Sequence, residues 1–189
     1  MFQVRIHGRG GQGGVTAAEL LSVAAFADGS EAQAFPSFGS ERMGAPVVAF
    51  CRIDDRKIRL REPIAEPDAV VVQDPTLLGH VDVFGGLANA GYALINSTKS
   101  VEDLGLLELD ARVVTVPATD IAREHIGRPI PNVALLGALA GLTGCVSLAA
   151  LEEAIGQRFR GAAAEGNKKA AQAAFLSVTR EVQHAGDAA

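Results

Sequence analysis

Tryptophan is absent from this chain of 189 residues, tyrosine occurs once, and there are only two cysteines, Cys51 and Cys145. Iron–sulfur clusters are usually held by four thiolates at short spacings, and structural zinc by four cysteine or histidine ligands. Two cysteines this far apart in the sequence exclude both kinds of site within the chain. We therefore expect both side chains to be buried apolar groups, and any electron transfer to take place in other chains.

An excess of basic charge and long apolar runs are missing as well. The net charge is -5 at pH 7, which argues against a nucleic-acid-binding protein, because such proteins carry a clustered basic face. No apolar run approaches the roughly 18 residues that a transmembrane helix needs. The first residues resemble a strand and not a signal peptide. We expect a cytoplasmic protein that binds neither nucleic acid nor a membrane.

The order of strand-like and helix-like segments indicates the fold class. Alternating and β-branched runs predict strands at 2–7, 31–35, 46–53, 69–72, 93–95 and 112–116. Segments rich in Ala and Leu predict helices at 15–27, 118–126, 133–142, 148–159 and 162–182. A turn at 54–56 suggests that 57–60 pairs back as a β-hairpin. We predict one α/β domain over 1–189, with a Rossmann-like, mostly parallel sheet, helices on both faces, a β-hairpin insertion and extra C-terminal helices.

The first strand runs into a glycine loop, residues 8–14, whose sequence is Gly-Arg-Gly-Gly-Gln-Gly-Gly. The spacing G-x-G-x-x-G is weak evidence alone, but here it follows a predicted strand and opens a predicted helix, as the motif requires. Gly8 permits a sharp turn, Gly10 lets an anion approach the backbone, and Gly13 lets the helix pack close to the strand. Free amide groups and the positive end of the helix dipole favour a phosphate. Tight packing alone is the alternative reason for these glycines.

An NAD site is disfavoured by the end of the second strand. Dinucleotide-binding domains usually carry Asp or Glu there to bind the ribose hydroxyls. In this chain the strand ends in Gln33-Ala34-Phe35-Pro36-Ser37, and no acid lies at its tip. The phosphate ligand is therefore expected to be of another kind.

The polar loop after the second strand is a second candidate for ligand contacts. It contains Ser37, Ser40, Glu41 and Arg42, and it is expected near the carboxyl ends of the strands, where ligands of open α/β sheets bind. Arg42 suits either a phosphate or a carboxylate of a partner chain. The alternative is a loop that only braces the first one through hydrogen bonds.

Two N-terminal segments resemble the gamma subunit of pyruvate:ferredoxin oxidoreductases and related 2-oxoacid:acceptor enzymes. The first is His7 to Gly13 followed by Thr16-Ala17-Ala18-Glu19-Leu20, and the second is Ala34 to Arg42 followed by Gly44-Ala45-Pro46. Met43 departs from the family pattern, because members often carry a basic residue there. Looser similarity extends along the chain to Pro67-Asp68, Asp74, Asn132, Leu136-Gly137 and Asn167.

The resemblance implies a subunit of an oxidoreductase. Since the sequence shows neither a catalytic triad nor a metal-ligand constellation, we expect no catalytic residue and no metal ligand in this chain itself. In that family thiamine diphosphate with magnesium cleaves the 2-oxoacid substrate, and 4Fe-4S clusters pass electrons to ferredoxin or an NAD-linked acceptor. The acyl group leaves on coenzyme A, with which the gamma subunit is associated. The other cofactors belong to partner alpha, beta and ferredoxin-like delta subunits. The missing cluster ligands, and the missing Gly-Asp-Gly magnesium motif of thiamine enzymes, agree with this division.

With coenzyme A as the ligand, we expect its pyrophosphate at residues 10–13 and its 3′-phosphate at Arg9 or Arg42. The expected cofactor-binding residues are Gly8, Arg9, Gly10, Gly11, Gln12, Gly13, Ser37, Ser40, Glu41 and Arg42. Two alternatives stay open at this point. The chain would either be an architectural subunit without a ligand or a stand-alone nucleotide-binding module.

Overall fold

A six-stranded sheet forms the centre of the protein, in a computed structural model that describes residues 1–37 and 43–187. Its strands are β1 (Phe2–Arg9), β2 (Glu31–Pro36), β3 (Pro46–Asp54), β4 (Ala69–Val72), β5 (Gly91–Asn96) and β6 (Ala111–Val116), in the order β2-β3-β1-β4-β5-β6. The neighbouring strands β1, β4, β5 and β6 pair in parallel. β3 pairs antiparallel with both β1 and β2. The predicted α/β class with a mostly parallel sheet is confirmed.

The helices found in the described residues are α1 (Gly14–Ala27), α2 (Ala118–Ile126), α3 (Asn132–Thr143), α4 (Leu148–Arg158) and α5 (Gly161–Asp187). The predicted C-terminal helices are thus present. α3 is apolar on all sides and is buried along nearly its whole length, as expected for a helix without a polar face. A Cβ atom at Gly137 would collide with the backbone of Ala171, so this glycine lets α3 and α5 approach closely.

The two faces of the sheet are covered differently. Alternate residues of β4 point to opposite sides, as in any strand: Ala69 and Val71 join the core beneath the five helices, and Val70 and Val72 join a smaller cluster. A 3-10 turn, Pro75–Gly79, and neighbouring loops cover this second face. Helices were predicted on both faces, but the only helical element found on the second face in the described residues is this 3-10 turn. A longer helix does not form there because proline and glycine interrupt the segment that follows β4.

The predicted β-hairpin is wrong. Residues 57–60 form no strand, because β3 already has hydrogen-bonded neighbours on both edges, β1 and β2. The segment after β3 crosses the second face instead, where Arg52 donates from Nη2 to the carbonyl oxygen of Glu62 at 2.7 Å. β3 also separates the two strands of the first β–α–β unit, so that β1 and β2 are not neighbours.

Polar side chains of β1 are buried beneath these loops. The Nε atom of Arg5 donates to Nε2 of His7 at 3.0 Å, and Nη2 donates to the carbonyl oxygens of Val83 and Gly85. Burial and then the positive charge of Arg5 lower the pKa of His7 to about 4, against the opposing charge of Asp82. His7 is thus a neutral structural histidine that is bonded to its own strand.

The cysteines are both free thiols. Cys51 is fully buried in the core, as predicted, and Cys145 is half-buried and packs against that core. Burial raises the pKa of both thiols, which favours the neutral form and makes them apolar groups in practice.

Candidate functional site

The glycine loop connects β1 directly to α1, and the predicted strand–loop–helix arrangement is confirmed. Gly11 and Gly13 have φ values of 93° and 74°, which only glycine adopts without strain. Gly13 also touches the start of α3, since a Cβ atom there would lie 2.5 Å from Nδ2 of Asn132. Glycine is therefore the residue that fits the loop with least strain at these two positions.

The first turn of α1 has no side-chain cap. Its N-cap residue is Gly13, which has no side chain to accept a hydrogen bond from the helix amides. Within 1–37 and 43–187, no acceptor is found for the backbone N–H groups of Gly11, Gly13, Gly14, Val15 and Thr16. These amides are the groups that an anion at this helix end would use.

Two other amides of the loop already have protein partners. The N–H of Gly10 donates to the carbonyl oxygen of Ala45 at 2.9 Å, and that of Gln12 donates to the carbonyl oxygen of Arg9 at 3.0 Å. Of the amides at residues 10–13, where pyrophosphate contacts were expected, only those of Gly11 and Gly13 are therefore left for a ligand in the described part of the chain. The amides of the first residues of α1 lie next to them.

Asp74, at the end of β4, braces the glycine loop. Its Oδ2 accepts from Nε of Arg9 at 3.1 Å and from Nε2 of Gln12 at 3.0 Å. Burial opposes ionisation of Asp74, but hydrogen bonds from Thr76 and Gln12 and the charge of Arg9 outweigh it, so its pKa lies below the usual value. The Arg9 guanidinium also donates to Thr76 and to the carbonyl oxygen of Gly44. The polar side chains of the loop are therefore turned towards β4.

The loop between β2 and β3 is hydrogen-bonded to the glycine loop through its backbone. The N–H of Gly44 donates to the carbonyl oxygen of Gly10 at 3.1 Å, and the exposed side chain of Met43 lies against Gly11. Ser37 ends the described part of this loop, and its N–H donates to the carbonyl oxygen of Val48. The remaining expected residues, Ser40, Glu41 and Arg42, lie outside the described residues.

The uncapped end of α1 opens into a cleft of about 620 Å³. Besides the glycine loop and Thr16, its walls come from the end of α2, the connection between α2 and α3, and the starts of α3 and α5. We call this space the loop cleft. It lies on the helix-covered side of the protein, between the start of α1, the end of α2 and the starts of α3 and α5.

Buried amides and one arginine line the loop cleft. Nδ2 of Asn132 donates to the carbonyl oxygen of Gly13 at 3.2 Å, and Nδ2 of Asn167 donates to that of Ala163 at 2.7 Å. Arg128 lines the same cleft and makes no ion pair within the described ranges. Sequence reasoning missed Arg128, because no motif surrounds it. Asn132 and Asn167 were marked only by family resemblance.

A second cleft, of about 580 Å³, lies at the carboxyl ends of β4, β5 and β6. Arg123 in its wall is paired with Asp120 at 2.8 Å, and the same carboxylate faces this cleft. Asn96 closes the floor by donating to the carbonyl oxygen of Gln73 and to Thr119. The loop cleft differs from this second cleft in that no carboxylate lines it among the described residues.

Together these features define a Rossmann-like α/β protein whose glycine loop presents backbone amides to a cleft. The family model described as pyruvate ferredoxin/flavodoxin oxidoreductase matches residues 3–177, and the chain belongs to that family.

Relatives and a solved structure agree over almost the whole chain. The pyruvate/ketoisovalerate oxidoreductases common subunit gamma of Thermococcus kodakarensis is 52% identical over 177 residues, which cover 93% of this chain and 96% of the relative. The pyruvate synthase subunit PorC of Methanocaldococcus jannaschii is 52% identical over 181 residues, covering 96% and 99%. The crystal structure of pyruvate oxidoreductase subunit PORC from Thermotoga maritima superposes with a TM-score of 0.83 at 39% identity, covering 93% and 95%. The chain is a gamma subunit of a 2-oxoacid oxidoreductase complex, as the resemblance implied.

Two further features bear on the site. Across the described residues, no helix has the length and apolar character needed to span a membrane. No cluster of three His, Cys, Asp or Glu side chains suited to a metal ion is found in the same ranges.

Proposed function

We propose that this gamma subunit holds coenzyme A for a cytoplasmic enzyme that converts a 2-oxoacid to acyl-CoA and CO2. The observation that carries the proposal is the uncapped first turn of α1, which opens into the loop cleft. In the complex, the chain docks on alpha, beta and ferredoxin-like delta subunits. These partners hold thiamine diphosphate, magnesium and the 4Fe-4S clusters.

The pyrophosphate of coenzyme A fits this helix end for electrostatic reasons. A helix N-terminus carries about half a positive charge and stabilises a nearby anion by about 0.3–1 kcal/mol, or more where the site is partly buried. The amides of Gly11 and Gly13 add direct hydrogen bonds. Because neither residue has a side chain, no side chain of its own separates either amide from the phosphate oxygens.

The chain's own part in the reaction is binding and orientation. Phosphate groups anchored at α1 fix one end of a long, flexible cosubstrate, so that its thiol end is directed towards the partner subunits. Fixing a reactant in this way reduces the entropy cost of the step that it joins. Bond making and breaking take place at the partners' thiamine diphosphate, where the acyl group is generated.

A pair of substitutions at Gly11 tests the proposal. Gly11→Asp places a carboxylate at the mouth of the site, and Gly11→Asn is its neutral control of the same shape; both residue types tolerate positive φ better than most. At about 6 Å and an effective dielectric constant of about 40, the added repulsion is about 1.4 kcal/mol, or about tenfold in affinity. We expect calorimetry on the assembled complex to show this loss relative to Gly11→Asn. Equal affinities in the two variants, with Gly11→Asn binding as tightly as the unchanged complex, would instead favour an architectural subunit.

A further inference from the structure

Arg128 is a cation in the loop cleft without an anionic partner in the described parts of the chain. Arg9, the arginine expected from the sequence to reach a phosphate, is paired with Asp74 at 3.1 Å. Since the loop cleft has no carboxylate in its described walls, the positive charge of Arg128 is available to a ligand.

The backbone that carries Arg128 is anchored on both sides. Gly127 ends α2 with a φ of 75° and donates its N–H to the carbonyl oxygen of Arg123 at 3.1 Å. After Arg128, the side chain of Asn132 joins the start of α3 to the carbonyl oxygen of Gly13. The connection between α2 and α3 is therefore tied to the glycine loop. Arg128 is exposed, and it belongs to the wall of the cleft into which the first turn of α1 opens.

Buried polar groups in the same walls also point to a polar ligand. Asn167 is only 5% exposed, and its Nδ2 is used by Ala163. No donor in the described ranges reaches its Oδ1, although the residue lines the loop cleft. This oxygen is not enclosed by protein, so a hydroxyl or amine of a ligand in the loop cleft has access to it.

The phosphates of coenzyme A divide naturally between the two parts of this cleft. The pyrophosphate bridges two groups and suits a row of backbone amides. The 3′-phosphate is a terminal monoester dianion, which suits a planar guanidinium that donates two parallel hydrogen bonds. We propose that Arg128 binds the 3′-phosphate of coenzyme A and makes the subunit discriminate coenzyme A from dephospho-coenzyme A. This inference rests on the proposed function.

The test measures the affinities of coenzyme A and dephospho-coenzyme A for two variants of the assembled complex. Arg128→Met keeps the apolar stem and removes the charge, and Arg123→Met, on the adjoining helix but outside the loop cleft, is the matched control. We expect Arg128→Met to weaken coenzyme A by about tenfold, as for loss of one charge-assisted contact. Dephospho-coenzyme A should change by less than about twofold, and the control should bind both ligands as the unchanged complex does. Equal effects of Arg128→Met on the two ligands, or none on either, would overturn the proposal.

Further measurements separate this inference from the function beneath it. The unchanged complex should bind coenzyme A more tightly than dephospho-coenzyme A, and added salt should weaken coenzyme A more. This comparison needs no variant, so equal binding of the two ligands would overturn the proposal even if Arg128→Met fails to assemble. If both ligands bind equally well but respond to Gly11→Asp, only the role of Arg128 fails. If neither ligand responds to Gly11→Asp, the proposed function fails.

Discussion

Acid should destabilise the folded chain through His7 before the carboxylates titrate. The ring lies inside β1 at 4% exposure, and its Nε2 accepts a hydrogen bond from Nε of Arg5 at 3.0 Å. That nitrogen must be free of a proton to accept the bond. Protonation would place a second positive charge in a buried site beside Arg5, with only Asp82 opposing it.

The direction and size of the effect follow from the two pKa values. In the unfolded chain His7 titrates near its ordinary value of 6.5, and in the folded chain near 4. Between these values the unfolded state binds more protons, so the free energy of unfolding rises with pH. The contribution is complete above about pH 6.5 and is lost progressively as the pH falls towards 4. A difference of about 2.5 pH units between the two pKa values corresponds to about 3 kcal/mol.

Urea unfolding of the full chain at a series of pH values from about 7.5 to about 4.5 measures this loss. His7→Gln provides a neutral acceptor for Arg5 and should flatten the dependence, although it is less stable at neutral pH. His80→Gln changes an exposed ring and should leave the dependence intact. Identical acid sensitivity in the unchanged chain and in His7→Gln would refute the reasoning.

Two further predictions concern packing and the loop. Asp74→Asn replaces one of the two acceptor oxygens by an NH2 group, which cannot accept the hydrogen bonds that now come from Gln12, Arg9 or Thr76. Losing about 1.4 kcal/mol in this way should accelerate amide hydrogen exchange in the glycine loop by about tenfold. Gly137→Ala should destabilise the chain by about 1–3 kcal/mol, because the added methyl group meets the backbone of Ala171. The matched Gly156→Ala meets only the end of a lysine at ordinary contact distance. It should stabilise the chain by up to about 1 kcal/mol in thermal unfolding.

The local sequence pattern was enough to predict those elements whose structure depends on residues that are near one another in the sequence. The run Ala69-Val70-Val71-Val72 predicted a central parallel strand, and β4 indeed lies between β1 and β5 with both faces covered. The glycine spacing predicted the turn into α1 for the same reason. β3 shows the limit of this reasoning, because both of its partners precede it in the sequence, and one of them, β1, already ends at Arg9. A local hairpin was the nearest pairing that sequence proximity offered, and it was wrong.

The candidate site was predictable only in its backbone. The position of Gly13 follows from the motif, and Gly11 lies within it, but the direction of the Arg9 side chain depends on Asp74, which follows another strand, β4. Arg128 lies still further along the chain, and it reaches the loop cleft only because α3 begins beside Gly13. Side chains that meet only through tertiary packing have no characteristic spacing in the sequence, so a sequence motif cannot predict their contact.

This arrangement separates the shape of the anion site from its charge. The side-chain charge within the glycine loop is neutralised by Asp74, so that ion pair stabilises the loop conformation and leaves its amides directed at the cleft. For the proposed phosphate ligand, the attraction would then come from the helix end and from Arg128, in a different part of the chain. Substitutions in the two places should therefore have different consequences. Changes at Asp74 should weaken every phosphate ligand alike by disordering the loop, whereas changes at Arg128 should alter only the choice between ligands that differ in the 3′-phosphate.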